Sequence, residues 1–395
     1  MNNILIVFGT RPEAIKMAPL IIELQKYPEK FKVIVAVTAQ HRQMLDQVLA
    51  IFKIKVNYDL NIMKPGQDLY DITSNVILGL KNILEEASPD IVLVHGDTTS
   101  SMAAAIASFY SHIPVGHVEA GLRTHDIDSP WPEEFNRQLT ARIATLHFSP
   151  SKLSKENLIS ENIPTFKIHI TGNTVIDSLN YILKTISETD EIKKNIRASL
   201  IKVGINEGIL NKWERKERKL VLITGHRREN FGDGFIDICN AIKELALKHP
   251  NSDFLYPMHL NPNVRKAIQI VFKNKKEQQP NIIFTEPIEY LPFIYLMQES
   301  SIVLTDSGGV QEEAPCLGKP VLVMRNNTER PELLSNGTVI LVGTDQKKIV
   351  EETSILLSKI VKSSAIEKTS PYGDGTACKK IAEILSNFFL IKKNN

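Results

Sequence analysis

The chain has 395 residues, 43% of them hydrophobic and 23% charged, with a formal net charge of +2. That length exceeds what one compact core accommodates and predicts two domains. The balanced charge excludes nucleic acid or an anionic membrane as a partner held by bulk electrostatics, so any bound anion must be held by local groups.

The first predicted strand is "ILIVF" (4–8). It follows the N-terminus too closely for a signal peptide, and no uncharged apolar run approaches the ~20 residues that span a bilayer. The three cysteines, Cys239, Cys316 and Cys378, form no Cys-x-x-Cys pair. A reducing compartment without a disulfide scaffold or zinc site fits that usage, and a cytoplasmic protein is expected. A helix through "GTRPEAIKMAPLIIELQKY" precedes the strand "FKVIVAVTA" (31–39) and the helical "HRQMLDQVLAIF". "DIVLVHG" (90–96) then leads through "DTTSSMAAAIASFYSHI" to "PVGHVEAG" (114–121). Continuous apolar strands separated by helix-length segments predict a parallel sheet covered on both faces.

The alternation is expected to break near "HITGNTVID" (169–177), and 180–219 is polar, with helical spacing and no strand. It restarts at "KLVLITGHRREN" (219–230) and continues through "DFLYPMHL" (253–260), "NIIFTEP" (281–287), "SIVLTDSGG" (301–309) and "PVLVMRN" (320–326), with helices between them. The expectation is an α/β protein with two doubly wound Rossmann-like domains and an interdomain cleft facing the strands' carboxyl ends. The boundaries are 1–175 for the first domain, 176–218 for a connecting segment and 219–372 for the second. A last helix in 373–395 packs back towards the first domain.

Unusual residues collect just after predicted strands. In "GTRPE", Gly9 makes the turn, Thr10 caps and Pro12 opens the helix. Arg11 and Lys16 then lie near the positive end of the helix macrodipole, where cations are disfavoured unless they bind an anion. Asp97 and Glu119 end consecutive parallel strands and share one rim; Asp97 is also a plausible cap, whereas capping explains Glu119 poorly. In "SPWPEEFNR", Glu133 or Glu134 can cap a helix or enter the site, the two prolines and Trp131 stiffening the approach. In "TDSGGVQEEAP", Ser307, Gly308 and Gly309 turn a strand into a helix whose first N–H groups suit a diphosphate. Glu313 is placed to accept from sugar hydroxyls, with Glu312 facing solvent, and His226 heads a cationic "HRR" after another strand. No Cys/His ligand set or acidic pair announces a metal, and neither Gly-x-Gly-x-x-Gly nor Gly-x-Ser-x-Gly occurs at these turns. The inventory points to acid–base chemistry on a phosphorylated, nucleotide-linked substrate.

The blocks "GTRPEAIKMAPL", "TAQHRQMLDQ", "HGDTTS", "HVEAGLRT", "WPEEFNR", "ITGNTVID", "TGHRREN", "HLNPNV", "TDSGGVQEEAP", "GKPVLVMRNNTERPE" and "PYGDG" resemble, in order and over nearly the whole chain, the non-hydrolysing bacterial UDP-N-acetylglucosamine 2-epimerases. The resemblance implies a GT-B glycosyltransferase-like fold, no cofactor, a homodimer, and interconversion of UDP-GlcNAc and UDP-ManNAc for cell-surface polysaccharide. It implies Asp97, Glu119 and Glu133 as proton-handling carboxylates, without deciding which removes and which returns the proton, and His226 as assisting UDP departure. Arg11 and Lys16 would contact phosphate or sugar. Ser307, Gly308, Gly309 and Arg330 would hold the diphosphate, Glu313 the ribose, and Ile288 and Phe293 would border the uracil. Gln40, His41, Gln43 and His259 fall in blocks associated with a second, regulatory UDP-GlcNAc site. Pro65-Gly66 stands where some regulated members carry arginine, a departure from that site's pattern. A GT-B glycosyltransferase is the alternative reading, and a non-enzymatic nucleotide-sugar binder a third.

Overall fold

The computed structural model describes residues 1–40, 42–64, 66–273, 279–334, 337–359 and 371–394. They fall into two units, Met1–Tyr181 with Pro371–Asn395, and Ile182–Ser370.

The first unit is built on strands β1 (Asn2–Phe8), β2 (Phe31–Val37), β3 (Tyr58–Asp59), β4 (Ile91–His95), β5 (Val115–Val118), β6 (Leu146–Ser149) and β7 (Ile168–Ile170). They pair in parallel in the order β3-β2-β1-β4-β5-β6-β7. Ile4 to Val7 and Ile91 to Val94 are wholly buried, so both faces of these strands need helical cover, as parallel sheets require. The helix Thr99–Tyr110 supplies part of it. Its Ala103, Ala104 and Ala105 are fully buried, and such small side chains let it lie close to the helix Leu69–Ala87.

The second unit holds β8 (Lys219–Thr224), β9 (Ser252–Pro257), β10 (Ile282–Thr285), β11 (Ile302–Thr305), β12 (Val321–Val323) and β13 (Val339–Leu341), also parallel, in the order β10-β9-β8-β11-β12-β13. In both sheets the strand order reverses once, between β1 and β4 and between β8 and β11, while the strands stay parallel. The chain leaves such a pair of strands towards opposite faces, which opens a crevice at their carboxyl ends where ligands bind in this architecture. The loops "GTRPE" and "GDTTS" flank the first crevice; "GHRREN" and "DSGG" flank the second.

Two expectations change. The alternation does not stop at 169, because β7 adds an edge strand of three residues, too short for a period-2 pattern to register. Residues 182–218 are not a connection but part of the second unit. They contribute the helices Asp190–Lys202 and Glu207–Glu214, whose Ile196, Leu200, Leu210 and Trp213 are buried. The Trp213 indole N–H donates to Asp253 Oδ2 at 2.8 Å, and Arg218 binds the same carboxylate. Their apolar face is narrow, so the surrounding charge hides it in the sequence. The closing helix Ala377–Asn394 packs on the helix Arg11–Leu24. Among the described residues no helix is long and apolar enough to cross a membrane.

Candidate active site

In the first unit the crevice is held together by a residue that sequence reasoning passed over. The helix after β1 opens at Arg11, one residue before Pro12. Glu13 in its first turn accepts from the backbone N–H groups of Gly9 (3.0 Å) and Thr10 (2.8 Å). Its other oxygen accepts from Thr98 and Ser101 hydroxyls, each at 2.7 Å, and this bridges the loops after β1 and β4. Burial pushes the Glu13 carboxyl up, against the pull of those donors. Gly9 is required because a Cβ there would lie 1.9 Å from Thr38 Oγ1 and 2.8 Å from Ser100 Oγ. Thr98, not Asp97, is the N-cap of the following helix, its hydroxyl accepting from Ser101 N–H at 3.1 Å.

Asp97 is therefore released from capping and meets Arg137, whose Nε and Nη2 donate to Oδ2 at 3.0 and 2.7 Å. Asn136 donates to the Asp97 carbonyl at 2.8 Å. The same arginine reaches Glu134 at 3.0 Å, and Glu134 also accepts from Thr124 N–H at 3.1 Å. Glu134 is thus a buried support that ties the helix Glu133–Ile143 to the loop before it. Glu133 opens that helix, half-buried, and among the described residues no hydrogen bond reaches its carboxylate. Trp131 is 64% exposed, so its ring does not wedge the loop by packing.

Glu119 follows β5 with φ at +64°, a conformation uncommon for a residue with a side chain. Its Oε2 accepts from Lys16 Nζ, both side chains being buried, and from Asn173 Nδ2 at 2.6 Å. His95 Nε2 lies 3.8 Å from the same oxygen. The structure brings together Lys16 and Glu119, both candidates from the sequence, and adds Asn173 and His95, which lie in the blocks "ITGNTVID" and "HGDTTS" but carry no local signal of a role. Burial holds His95 and His117 down at about 4 and His147 at about 3, so all three are neutral. His117 Nε2 donates to the Gly96 carbonyl at 2.7 Å. Arg11 is half-buried in the first helical turn. Gln40 Oε1 accepts from Ser100 at 3.0 Å. His41, Pro65 and the Gln43 side chain lie outside the described residues.

In the second unit the paired ends of β8 and β11 do the positioning. Buried Asp306 accepts from the backbone N–H groups of His226 (2.7 Å) and Arg227 (2.8 Å). The His226 ring stands with Nδ1 3.3 Å from Asp306 Oδ1 and stacks on His259, centroids 5.2 Å apart. His259, which by resemblance falls in a block associated with a second, regulatory UDP-GlcNAc site, is thus in contact with the residue that the resemblance implies in catalysis. The helix Gly308–Cys316 begins at Ser307 without a side-chain cap, which leaves its first N–H groups for an anion. A Cβ on Gly309 would meet nothing within 4 Å, whereas one on Gly308 would lie 2.8 Å from Arg330 Nη1. Arg330 is buried and paired with Glu312 and Glu329. Glu312 is therefore not a solvent-facing residue; it is fully buried because it neutralises Arg330 beneath the helix start. Glu313 accepts from the Tyr290 hydroxyl at 2.8 Å. Phe293, on the helix Tyr290–Glu299, and Ile288 just before it are half-buried.

The family model described as UDP-N-acetylglucosamine 2-epimerase matches residues 23–386. The UDP-N-acetylglucosamine 2-epimerase of Escherichia coli K12 is 52% identical over 386 residues, 98% of either chain. The chain belongs to this family. Its member from Neisseria meningitidis serogroup A is also 52% identical over 386 residues, 97% of this chain and 99% of the relative. The crystal structure of the Neisseria meningitidis UDP-GlcNAc 2-epimerase bound to UDP-GlcNAc superposes with a TM-score of 0.87, covering 97% of this chain and 99% of that one. The Methanocaldococcus jannaschii epimerase in complex with UDP-GlcNAc and UDP is 30% identical, with a TM-score of 0.80 over 98% and 99% of the two chains. The expected fold, two parallel-sheet α/β units of the GT-B-like kind, is the observed one.

Proposed function

We propose that the protein is a non-hydrolysing UDP-N-acetylglucosamine 2-epimerase, interconverting UDP-GlcNAc and UDP-ManNAc. The observation that carries this reading is the set of carboxylates at the carboxyl end of the first sheet. Asp97 and Glu119 follow the adjacent strands β4 and β5, each held by a cation, Arg137 or Lys16. A sugar transferase needs no such set. The proton on sugar carbon 2 is weakly acidic, and a positioned base contributes about 10²–10⁴-fold to its removal. The remainder must come from stabilising the departing diphosphate.

In the elimination half, one carboxylate among Asp97, Glu119 and Glu133 takes the C2 proton. The C–H electrons form the C1=C2 double bond, and the C1–O pair leaves with UDP to give 2-acetamidoglucal. In the return half, the UDP oxygen re-forms its bond to C1 and a carboxylate delivers a proton to C2 on the opposite face. The helix start at Ser307, Gly308 and Gly309 takes the diphosphate on its N–H groups, with the Arg330 side chain, fixed by Glu312 and Glu329, lining the turn beneath it. His226, oriented by Asp306, assists departure; Arg11 and Lys16 contact phosphate or sugar; Glu313 faces the ribose; Ile288 and Phe293 border the uracil. The enzyme works in the cytoplasm as a homodimer and supplies ManNAc units for cell-surface polysaccharide.

Incubation with UDP-GlcNAc in D₂O without acceptor tests this. Deuterium at C2 and formation of UDP-ManNAc are expected. Free ManNAc would indicate a hydrolysing enzyme, and the absence of both exchange and product would sink the reading. Asp97→Asn and Glu133→Gln are expected to fold normally and lose 10²–10⁴-fold in turnover; near-normal activity in both would remove these residues from proton transfer.

A further inference from the structure

Glu119 projects from a left-handed backbone position, and its carboxylate is held by two donors, Lys16 and Asn173. One of them, Asn173, is fixed on every side. It follows β7 and is 2% exposed. Its Oδ1 accepts from Val175 N–H at 3.1 Å, which leaves the amide nitrogen to point at Glu119, 2.6 Å from Oε2. Its own backbone N–H donates to the Tyr372 carbonyl at 2.8 Å.

Tyr372 belongs to the returning segment that follows a departure of nearly two hundred residues through the second unit. That segment is locked against the chain around Asn173. Gly172, with φ at +88°, has no room for a Cβ, which would sit 2.8 Å from the Tyr372 carbonyl oxygen. One on Gly373 would lie 3.3 Å from Gly172 Cα, and one on Gly375 would strike Asn180 Nδ2 at 2.1 Å. Beyond them Asp177 accepts from the N–H groups of Ala377 (3.2 Å) and Cys378 (3.0 Å), capping the closing helix from across the sequence. The two glycine-containing turns, "TGNT" and "PYGDG", are halves of one support.

We propose that Asn173 is a positioning residue for Glu119, and that the returning segment 371–377 holds Asn173 in place through Tyr372, so that the C-terminal end of the chain is a working part of the proton-transfer site. Lys16 supplies charge to Glu119 Oε2; Asn173 supplies direction, fixing the carboxylate plane with a neutral donor whose own orientation is locked. The inference rests on Glu119 handling the C2 proton.

The test uses the full chain and its variants Asn173→Ala, Asn173→Asp and Gly172→Ala, with UDP-GlcNAc turnover, C2 deuterium exchange, thermal midpoint and the pH dependence of kcat as readouts. Asn173→Ala is expected to lose about 10²-fold in kcat, the scale of a 1 Å misplacement, with KM changed less than about threefold and the fold intact. Asn173→Asp keeps the shape and the Val175 contact but sets a second carboxylate against Glu119. The pair then shares a proton, and the acid limb of the kcat profile moves to higher pH, a shift a merely structural role would not produce. Gly172→Ala, which displaces the Tyr372 carbonyl, is expected to lose kcat in the same sense. Should Asn173→Ala fail to fold, the isosteric Asn173→Asp still decides through its pH profile. An unmoved acid limb in Asn173→Asp, or wild-type kcat in Asn173→Ala, overturns the positioning role; wild-type kcat in Gly172→Ala overturns the role of the returning segment. Absence of C2 exchange in the unaltered protein would overturn the epimerase reading and this inference with it.

Discussion

Replacing His147 by phenylalanine should make the first unit less sensitive to acid. His147 is completely buried in β6, paired in register with His117 of β5. Burial lowers it from the ordinary 6.5 to about 3, and His117, Lys167 and Arg123 push the same way. The folded state therefore refuses a proton that the unfolded chain accepts between those values, so the group's contribution is intact above pH 6.5 and is lost as pH falls towards 3. At pH 5, about 1.5 units below 6.5, the loss is about 2 kcal/mol, at roughly 1.4 kcal/mol per unit. Any packing cost of the larger phenylalanine is the same at both pH values and cancels. His95 and His117 add terms of the same sign, whereas the raised Glu13 carboxyl opposes them. The difference between variant and parent, rather than the raw slope, is thus the decisive quantity. Hydrogen exchange of peptides from β4, β5 and β6 at pH 7.5 and 5.0 gives it. We expect the variant to gain about 2 kcal/mol relative to the parent on acidification. A difference that does not change with pH, or a folded-state His147 that titrates near 6.5, would refute the argument.

Gly308→Ala should cost about 1–3 kcal/mol, because its Cβ would meet an Arg330 already gripped by Glu312 and Glu329. Gly309→Ala, with open space around it, should gain up to about 1 kcal/mol in helix stability yet lose at least about tenfold in UDP affinity, because the added methyl group would stand in the space that a diphosphate seated on the helix's first N–H groups takes. Thermal melts and UDP titration separate the two, and unchanged UDP binding by Gly309→Ala would remove the cradle. Asp177→Ala takes away the acceptor for Ala377 and Cys378 N–H and should cost about 1 kcal/mol, read as faster exchange in 377–394 with the second unit unaffected. Tyr290→Phe removes the hydroxyl that donates to buried Glu313, at about 1–3 kcal/mol, and should alter UDP affinity several-fold; calorimetric titration showing neither effect would place Glu313 outside the nucleotide site.

The sequence by itself determined the long buried strands, the doubly wound character of both halves, and the collection of reactive residues just after strand ends. Each is local: an apolar run followed by Gly, Thr or Ser and a helical period is legible within a dozen residues. The edge strands β3, β7 and β13, two or three residues long, carry too little pattern to read. The helices of 182–218 read as a linker in the sequence because a few buried positions, Trp213 among them, are outnumbered by exposed charge.

Only the tertiary structure decided who holds whom. Asp97 could be a cap or a site residue until Thr98 took the cap and Arg137, forty positions away, took the carboxylate. Glu312 changes from a surface charge to the buried partner of Arg330. The neutral state of His95, His117 and His147 follows from burial across three adjacent strands. Periodicity reports which face of an element is buried, but not which distant element buries it. Strand order sets that, and with it the partner, charge state and direction of each side chain at the rim.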